Sequence, residues 1–231
     1  PTLAIDQLVP YFLLGIQDSA FEDFFVREEN GMDYEFSYRY LAETLYQALT
    51  EDAFYITLEK SVAEGSAREA MIRYMDFSMV EAAQYGKLLI SSDRKSGAAI
   101  WSRPLTEENE IKKNRRKREF LRLQMGNSSL ECYDAMVSSM ADTSLPQVDP
   151  QAWYLSIIGI HPRHQSKGLG IGLIEPVLQQ TDRMQHPTFL ETFTPRSIPF
   201  YERLGYEVAD RIHEPTSKAD YWLMVRDPQD S

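Results

Sequence analysis

The chain has 231 residues, of which 43% are hydrophobic and 26% are charged, a balance typical of a globular protein with a sizeable core. Its formal net charge of −11 argues against general nucleic-acid binding, which needs a cationic face. The single cysteine, Cys132, excludes an internal disulfide and a cysteine-based metal site, so we expect a reducing, cytoplasmic location and no metal. No apolar run approaches the roughly 20 residues of a membrane-spanning helix, and we expect neither a leader nor an anchor.

The first part of the chain, residues 1 to about 65, predicts helices. Glycine and proline are sparse there, and apolar residues recur at helical spacing, as in Leu41, Leu45 and Leu49. A clearer helix follows and stops at Gly86, where we expect a left-handed C-terminal residue. The apolar face of that helix comprises Met71, Tyr74, Met75, Met79 and Ala82.

Residues 87–91 and 98–103 predict a β-hairpin, since two short strand-like runs flank a polar turn. Residues 105 to about 144 again predict helix and carry a basic cluster in an otherwise acidic chain. Three interpretations of the cluster stay open: a solvated helix face, a patch that attracts an anionic cofactor, or a targeting or nucleic-acid patch. The cluster comprises Lys112, Lys113, Arg115, Arg116, Lys117, Arg118 and Arg122.

From Trp153 onwards the pattern changes to alternating strands and helices. Residues 153–160 are apolar at nearly every position, which predicts a strand buried on both faces. A helix begins near Gly168, and Pro176 inside it predicts a lost backbone hydrogen bond and a kink. The later elements are a strand over 188–193, a short helix over 198–204 that Gly205 ends, and a closing hairpin over 206–212 and 221–225.

The segment from Gln165 to Gly170 lies between the buried strand and this helix. Backbone N–H groups at a helix start lack internal partners, and glycine lets the backbone close on a ligand, so the segment predicts a phosphate-binding turn. It has neither the G-x-G-x-x-G spacing of dinucleotide folds nor the lysine-plus-hydroxyl pair of a P-loop.

Two stretches resemble motifs of the GCN5-related N-acetyltransferases (GNAT). Residues 153–162 with the turn 165–170 look like motif A of that family, and 190–206, with P-F-Y-E-R-L-G at 199–205, look like motif B. Within the family the likeness is closest to puromycin-type N-acetyltransferases. The resemblance is specific over 151–226, looser over 66–104 and slight over 1–65.

The resemblance implies one α/β (α+β) domain spanning 1–231. Its sheet would be mixed and mainly antiparallel, with about six or seven strands flanked by helices. Residues 1–65 would form a helical N-terminal segment and 151–226 the acetyl-CoA-binding core. Acetyl-CoA would lie where two parallel strands, 153–160 and 188–193, splay apart.

The resemblance also implies the residues that hold acetyl-CoA. The pantetheine would run along Ile158, Gly159 and Ile160. Thr194 stands where the broad family often carries asparagine, and Ser197 where the puromycin-type group does; hydroxyls there keep hydrogen-bonding capacity with shorter reach. The pyrophosphate would sit on backbone amides of the turn, whose residues are Gln165, Ser166, Lys167, Gly168, Leu169, Gly170 and Ile171.

Tyr201 matches the general acid of the family, which protonates the CoA thiolate. For the base we favour Glu191, directly or through water, against the alternative that Glu191 only holds a hydrogen bond or ion pair. His161 and His164 are further candidates. Trp101 is a candidate wall of the acceptor pocket, against ordinary core packing.

The predicted function is therefore acetyl transfer from acetyl-CoA to the primary amine of a small molecule, in a ternary complex. Two alternatives stay open: a non-catalytic acyl-CoA-binding regulatory module, and acetylation of a protein lysine or N-terminus. The expected partners are acetyl-CoA and an amine, with no nucleic acid and no membrane. The acceptor and the oligomeric state stay undetermined.

Overall fold

The computed structural model describes residues 34–229. Part of the predicted helical N-terminal segment, residues 1–33, therefore lies outside the described residues. From Ser37 onwards the described chain belongs to one compact unit. Its helices are α1 Arg39–Ala48, α2 Ala53–Lys60, α3 Ala67–Tyr85, α4 Glu107–Gln124, α5 Asn127–Ser144, α6 Leu169–Met184 and α7 Ile198–Glu202. Its strands are β1 Lys87–Ile90, β2 Gly97–Ser102, β3 Trp153–Ile160, β4 Thr188–Thr192, β5 Glu207–Glu214 and β6 Ala219–Arg226.

The six strands form one sheet in the order β1-β2-β3-β4-β6-β5. Only the β3–β4 pair is parallel; the other neighbours described here are antiparallel. Helices cover both faces, which confirms the predicted mixed, mainly antiparallel α+β fold. The assignment of 1–231 to a single domain stays a prediction.

Helix α3 ends where the sequence indicates, but Gly86 is not the left-handed residue that we expected. Its φ is −132°, outside the region that favours glycine. Instead, a Cβ atom at Gly86 would collide with the backbone oxygen of Trp101 on β2. Close approach of two chain segments therefore requires this glycine. By contrast, Gly126, between α4 and α5, does have a positive φ of 95°, and it splits the predicted 105–144 helix in two.

A β-bulge interrupts the pairing of β2 with β3. Ile100 is opposite Ile157, but the next residue, Trp101, is opposite Leu155, so Ser156 is an extra residue in β3. The Ser156 hydroxyl donates to the Ile100 carbonyl at 3.2 Å within the bulge. One added residue reverses the alternation of side chains along the strand. Odd-numbered residues before the bulge and even-numbered residues after it therefore point to the same face of the sheet.

The face reversal is visible in the packing of β3. Leu155, before the bulge, and Ile158 and Ile160, after it, all pack in the core cluster with α6. Gly159 faces the other side, where a Cβ would meet the Leu45 side chain of α1 at 2.7 Å. Helix α6 therefore covers one face of the sheet and α1 the opposite face.

Candidate active site

Strands β3 and β4 diverge halfway along their length. Their parallel register covers Trp153–Thr188, Tyr154–Phe189 and Leu155–Leu190 and stops there. The stop coincides with the Ser156 bulge, because a bulge bends its strand and interrupts the ladder. Beyond it, the predicted pantetheine residues Ile158, Gly159 and Ile160 have no registered partner on β4 within residues 34–229. These residues pair with β2 on their other edge, so only the edge that faces away from β2 is left without a strand partner.

The predicted phosphate-binding turn follows the end of β3. Ser166 (φ 61°) and Gly168 (φ 77°) adopt left-handed conformations, and helix α6 begins directly after Gly168. The Gln165 side-chain amide donates to the Ile160 carbonyl at 3.0 Å and so ties the turn to the strand. Residues 165–168 are exposed. This geometry presents the turn to a ligand from solvent.

The amides of the turn fit an anion, with one exception. The Ile171 N–H, predicted as an anion donor, donates instead to the Gly168 carbonyl at 3.1 Å. The amides from Ser166 to Gly170, including Lys167 and Leu169, make no such bond among the hydrogen bonds of residues 34–229. Unpaired N–H groups at a helix start carry partial positive charge. These five amides therefore suit a phosphate group.

Gly170 joins the turn to helix α7. A Cβ at Gly170 would meet the Phe200 ring at 3.0 Å, so the glycine allows the two helices to approach closely. Thr194 and Ser197, the other predicted cofactor contacts, lie in the segment between β4 and α7. The Thr194 N–H donates to the Thr192 hydroxyl at 3.2 Å, and the Ser197 N–H donates to the Thr194 carbonyl at 2.9 Å. Their backbones hold this connection.

Tyr201 lies on α7, in the core cluster that α6 makes with the sheet, and retains 8% exposure. Its ring contacts those of Phe200 and Tyr206, with centroids 5.2 Å and 6.1 Å away. Burial raises the pKa of Tyr201, and the charges of Tyr206 and Asp52 raise it further. The phenol therefore stays protonated near neutral pH, as a proton donor requires.

Glu191 is half-buried on β4, at the divergence. Its carboxylate accepts hydrogen bonds from the Ser144 hydroxyl at 2.5 Å and from the Tyr154 hydroxyl at 3.1 Å. Ser144 also bonds the Tyr221 hydroxyl at 3.0 Å, so the carboxylate lies within a network that links α5, β3, β4 and β6. Burial raises the pKa of Glu191, and the Ser144 and Tyr154 hydrogen bonds oppose that rise.

Trp101 lies apart from Glu191. The registers of Trp101 with Leu155 and of Leu155 with Leu190 place these three side chains on the α6 face, whereas Glu191 follows Leu190 and faces the other side. Trp101 has no exposed area, which favours core packing over the pocket wall suggested by the sequence.

His161 and His164, the alternative bases, lie together where β3 ends. Their rings contact each other with centroids 5.7 Å apart. The His161 Nδ1 accepts the Arg163 N–H at 3.2 Å, which caps a short 3₁₀ turn. This hydrogen bond gives His161 a structural role at the turn.

A group of side chains on the Glu191 face was not identified from the sequence. Helices α2, α3 and α5 bring together Tyr55, Tyr74 and Tyr133, which we term the tyrosine cluster. The Tyr74 ring is 6.3 Å from that of Tyr55 and 6.4 Å from that of Tyr133. Asp52, at the start of α2, lies beside Tyr55 and its charge raises the pKa of that phenol, after burial and Tyr74. The available signal was Asp52 itself, an N-cap residue before an aromatic helix start.

The basic cluster of α4 is largely neutralised by carboxylates. Lys112 pairs with Glu108 at 2.6 Å and Arg118 with Asp134 at 2.8 Å. Lys117 is buried, pairs with Glu81 at 3.3 Å, and has a pKa lowered by burial. These contacts favour the solvated, ion-paired interpretation of the cluster.

The described residues contain neither a metal-binding cluster nor a membrane-spanning helix. Within 34–229, no group of three or more histidine, cysteine, aspartate or glutamate side chains is arranged to hold a metal ion. In the same stretch, every helix is too short or too polar to cross a membrane.

Part of the chain is similar in sequence to known acetyltransferases. Residues 107–206 match the model of the acetyltransferase (GNAT) family, a stretch that contains β3, the phosphate-binding turn, Glu191 and Tyr201. An uncharacterised N-acetyltransferase of Schizosaccharomyces pombe is 24% identical over 200 residues, covering 83% of this chain and 80% of the relative.

Solved structures agree on the fold. An acetyltransferase of Corynebacterium glutamicum, described as histone acetyltransferase HPA2 and related, superposes with a TM-score of 0.56 at 15% identity, covering 83% of this chain and 91% of its own. Arylalkylamine N-acetyltransferase 2 of Aedes aegypti gives a TM-score of 0.54 at 15% identity, with 84% and 98% covered. At such identities the likeness concerns the fold.

Proposed function

Because residues 107–206 match the model of the acetyltransferase (GNAT) family, we propose that the chain transfers the acetyl group of acetyl-CoA to the primary amine of a small molecule. The observation that carries the proposal is the divergence of β3 and β4 after Leu155–Leu190, together with the turn that follows the end of β3 and is exposed at 165–168. An extended molecule with a pyrophosphate at one end fits this combination: peptide-like amides pair with the free edge of β3, and the pyrophosphate binds the amides of the turn.

In the proposed reaction, both substrates are bound together and the neutral amine attacks the thioester carbonyl. The C–N bond forms, the C–S bond breaks, and the sulfur leaves as a thiolate that takes a proton. The amine begins as an ammonium and loses two protons in all, one before or during attack and one after it. The residues of the chain must therefore accept protons from nitrogen and donate one to sulfur.

Tyr201 is proposed as the donor to sulfur. Its phenol is protonated at neutral pH because burial raises its pKa, and it lies on the helix whose first turn follows the β4 strand end. Once the thiolate has formed, a nearby phenol can protonate it. Glu191 is the sequence-derived candidate for the proton acceptor, directly or through water.

A small-molecule acceptor is supported by the packing of α2 against α5 on the Glu191 face, beside the tyrosine cluster. Two proteins of the same fold act on small amines: the Aedes aegypti arylalkylamine enzyme and a polyamine N-acetyltransferase of Drosophila melanogaster, which forms N-acetylagmatine. A covered recess suits a small amine better than a folded protein.

The test is release of free CoA from acetyl-CoA over a panel of primary amines, with Tyr201→Phe beside the wild type. We expect wild-type turnover with at least one amine and a loss of roughly 10²-fold in kcat for Tyr201→Phe, the usual contribution of one proton-transfer group.

Tyr206→Phe is the matched control. It also removes a phenol, in this case from the core cluster that contains Tyr201. The Tyr206 hydroxyl accepts a hydrogen bond from Thr188 at 2.9 Å. We expect its kcat to stay close to that of the wild type. Acetyl-CoA binding by calorimetry without turnover on any amine would instead indicate a non-catalytic acyl-CoA-binding module.

A further inference from the structure

The connection between α1 and α2 lies against the segment that leads into α7. Glu51, in that connection, forms an ion pair with Arg196 at 2.6 Å, five residues before Tyr201. Asp52 is the next residue after Glu51. The contact shows that Asp52 lies near the helix that carries the proposed acid, although the two are about 150 residues apart in sequence.

Asp52 has few partners for a carboxylate in such surroundings. It caps α2 by accepting the Phe54 N–H at 3.0 Å. Among residues 34–229 no side chain donates a hydrogen bond to it. Asp52 is half-buried, and this desolvation raises its pKa to about 6, opposed by the Phe54 and Tyr55 amides. Among the described residues, one side of the carboxylate thus has no cationic partner.

The surroundings of Asp52 are those of a recess. Tyr55 and Tyr133 are half-buried by exposed area, yet burial is the main reason that the pKa values of both phenols rise well above the ordinary value. From this combination of partial exposure and desolvation we infer a recess beside Asp52. The neighbouring titratable groups that face Asp52 are phenols, Tyr55 from α2 and Tyr201 from α7.

Glu191 differs from Asp52 in this respect. Hydroxyls from Ser144 and Tyr154 already occupy its two oxygens, one each. The Glu191 charge raises the pKa of Tyr154, whereas the carboxylate whose charge acts on Tyr201 is Asp52. A proton acceptor and a proton donor for one thioester must both lie near the same reacting carbon. Asp52 meets that requirement with Tyr201.

We propose that Asp52 binds the ammonium group of the acceptor in this recess and accepts the proton that the nitrogen loses before it attacks, while Glu191 acts as a positioning residue. This inference rests on the proposed function. The N–H bonding pair stays on nitrogen, and the first proton moves to the Asp52 carboxylate. The amine then attacks, the C–N bond forms as the C–S bond breaks, and Tyr201 protonates the departing thiolate. The second proton leaves the nitrogen and restores the Tyr201 phenol, and Asp52 releases its proton to solvent. The tyrosine cluster provides ring faces on which a cation is favourable.

The experiment compares Asp52→Asn, Glu191→Gln and Glu51→Gln by the pH profile of kcat/KM, using the best amine of the panel. Asparagine is as good an N-cap as aspartate, so Asp52→Asn keeps the start of α2. We expect the wild-type rate to fall below about pH 6, and we expect Asp52→Asn to lower kcat/KM by roughly 10²- to 10³-fold and to remove that fall.

The controls separate this role from a structural one. Glu191→Gln is expected to retain the fall below pH 6, and Glu51→Gln, which only loses the exposed ion pair, to retain both rate and profile. Acetyl-CoA affinity measured by calorimetry should be unchanged in Asp52→Asn. This inference alone would be overturned if Asp52→Asn kept the wild-type rate and pH profile, or if Glu191→Gln lost the fall in rate below pH 6. A wild type inactive on every amine would overturn the proposed function.

Discussion

Asp52 and Glu191 are chemically similar carboxylates placed in different surroundings. Glu191 accepts two hydroxyl hydrogen bonds and lies in a network with Ser144, Tyr154 and Tyr221, so its position is held from several elements. Asp52 accepts backbone hydrogen bonds from its own helix. A carboxylate held on both oxygens is suited to keep a geometry, and one with a free side is suited to receive a ligand proton.

The pKa of Asp52 has a consequence for stability. Because the folded-state pKa lies above the ordinary aspartate pKa of 3.8, the folded chain binds more protons than the unfolded chain between about pH 4 and pH 6. Stability from this group is therefore greatest in acid and falls as the pH rises through that window.

Asp52→Asn removes the ionisation and keeps the cap, so we expect it to unfold at a higher temperature than the wild type at pH 7.5. The gain should be about 1–2 kcal/mol, discounted for partial exposure, which corresponds to a few degrees. At pH 4 the two melting temperatures should converge. Thermal unfolding at the two pH values measures both; an equal difference at both would contradict the assigned cause. Gain of stability with loss of activity would be the usual trade at a functional residue.

At the scale of elements, the start of α6 depends on the left-handed backbone conformations of Ser166 and Gly168, which most residues avoid. Gly168 has a φ of 77° and precedes the first residue of the helix. Gly172, one turn later, has an ordinary helical environment, and a Cβ there would meet no atom within 4 Å. The two glycines thus offer a matched pair of substitutions in one helix.

Gly168→Ala should cost about 1 kcal/mol, because a Cβ strains a left-handed residue, and should weaken acetyl-CoA binding by about 5- to 10-fold as the turn relaxes. Gly172→Ala should raise stability by about 0.5–1 kcal/mol, since alanine is the better helix former, with little change in binding. Calorimetric titration with acetyl-CoA and thermal unfolding of both variants provide the comparison. Equal effects at the two sites would argue against the turn as the phosphate-binding element.

The bulge at Ser156 is the second feature of this scale. Residues 153–160 are so uniformly apolar that no alternation marks a change of face. In the structure, buried and half-buried positions alternate along β3, and the extra residue makes Leu155 and Ile158 share a face. Sequence periodicity detects this strand but not its bulge, because the pattern reads equally well in either register.

At the scale of the whole molecule, the sheet is covered by helices that come from opposite ends of the sequence. Helix α6, from the second half, covers one face, and α1, from the first part, covers the other at Gly159. The contact is close: a Cβ at Gly159 would meet Leu45 Cδ2 at 2.7 Å and the Ala48 Cβ at 3.0 Å. This contact joins the acceptor-side helices to the strand proposed to bind acetyl-CoA.

Gly159→Ala should lower the free energy of unfolding by about 1–3 kcal/mol, the usual cost of overpacking a core. In a Leu45→Ala background, where the nearest obstacle is gone, the same substitution should cost clearly less. Chemical denaturation of the four proteins in the cycle gives the coupling energy. An identical cost in both backgrounds would show that the contact with Leu45 does not cause the loss of stability.

The sequence by itself predicted the proposed donor side of this protein. The buried strand, the turn at 165–170, the α6 start and the segment around Tyr201 follow each other within about 50 residues. Local signals such as glycine position, helix starts and apolar runs therefore suffice to recognise them, and the mixed sheet order agreed with that recognition.

Only the tertiary structure decided the acceptor side. Asp52, Tyr55, Tyr74 and Tyr133 come from helices α2, α3 and α5, and the sequence offers them as ordinary cap and core residues. Distant elements that pack around a carboxylate decide whether hydroxyl groups occupy its oxygens, as at Glu191, or leave one side without a side-chain donor among the described residues, as at Asp52. Desolvation and hydrogen bonding set its pKa and its free side, and both are properties of that packing, not of neighbours along the chain.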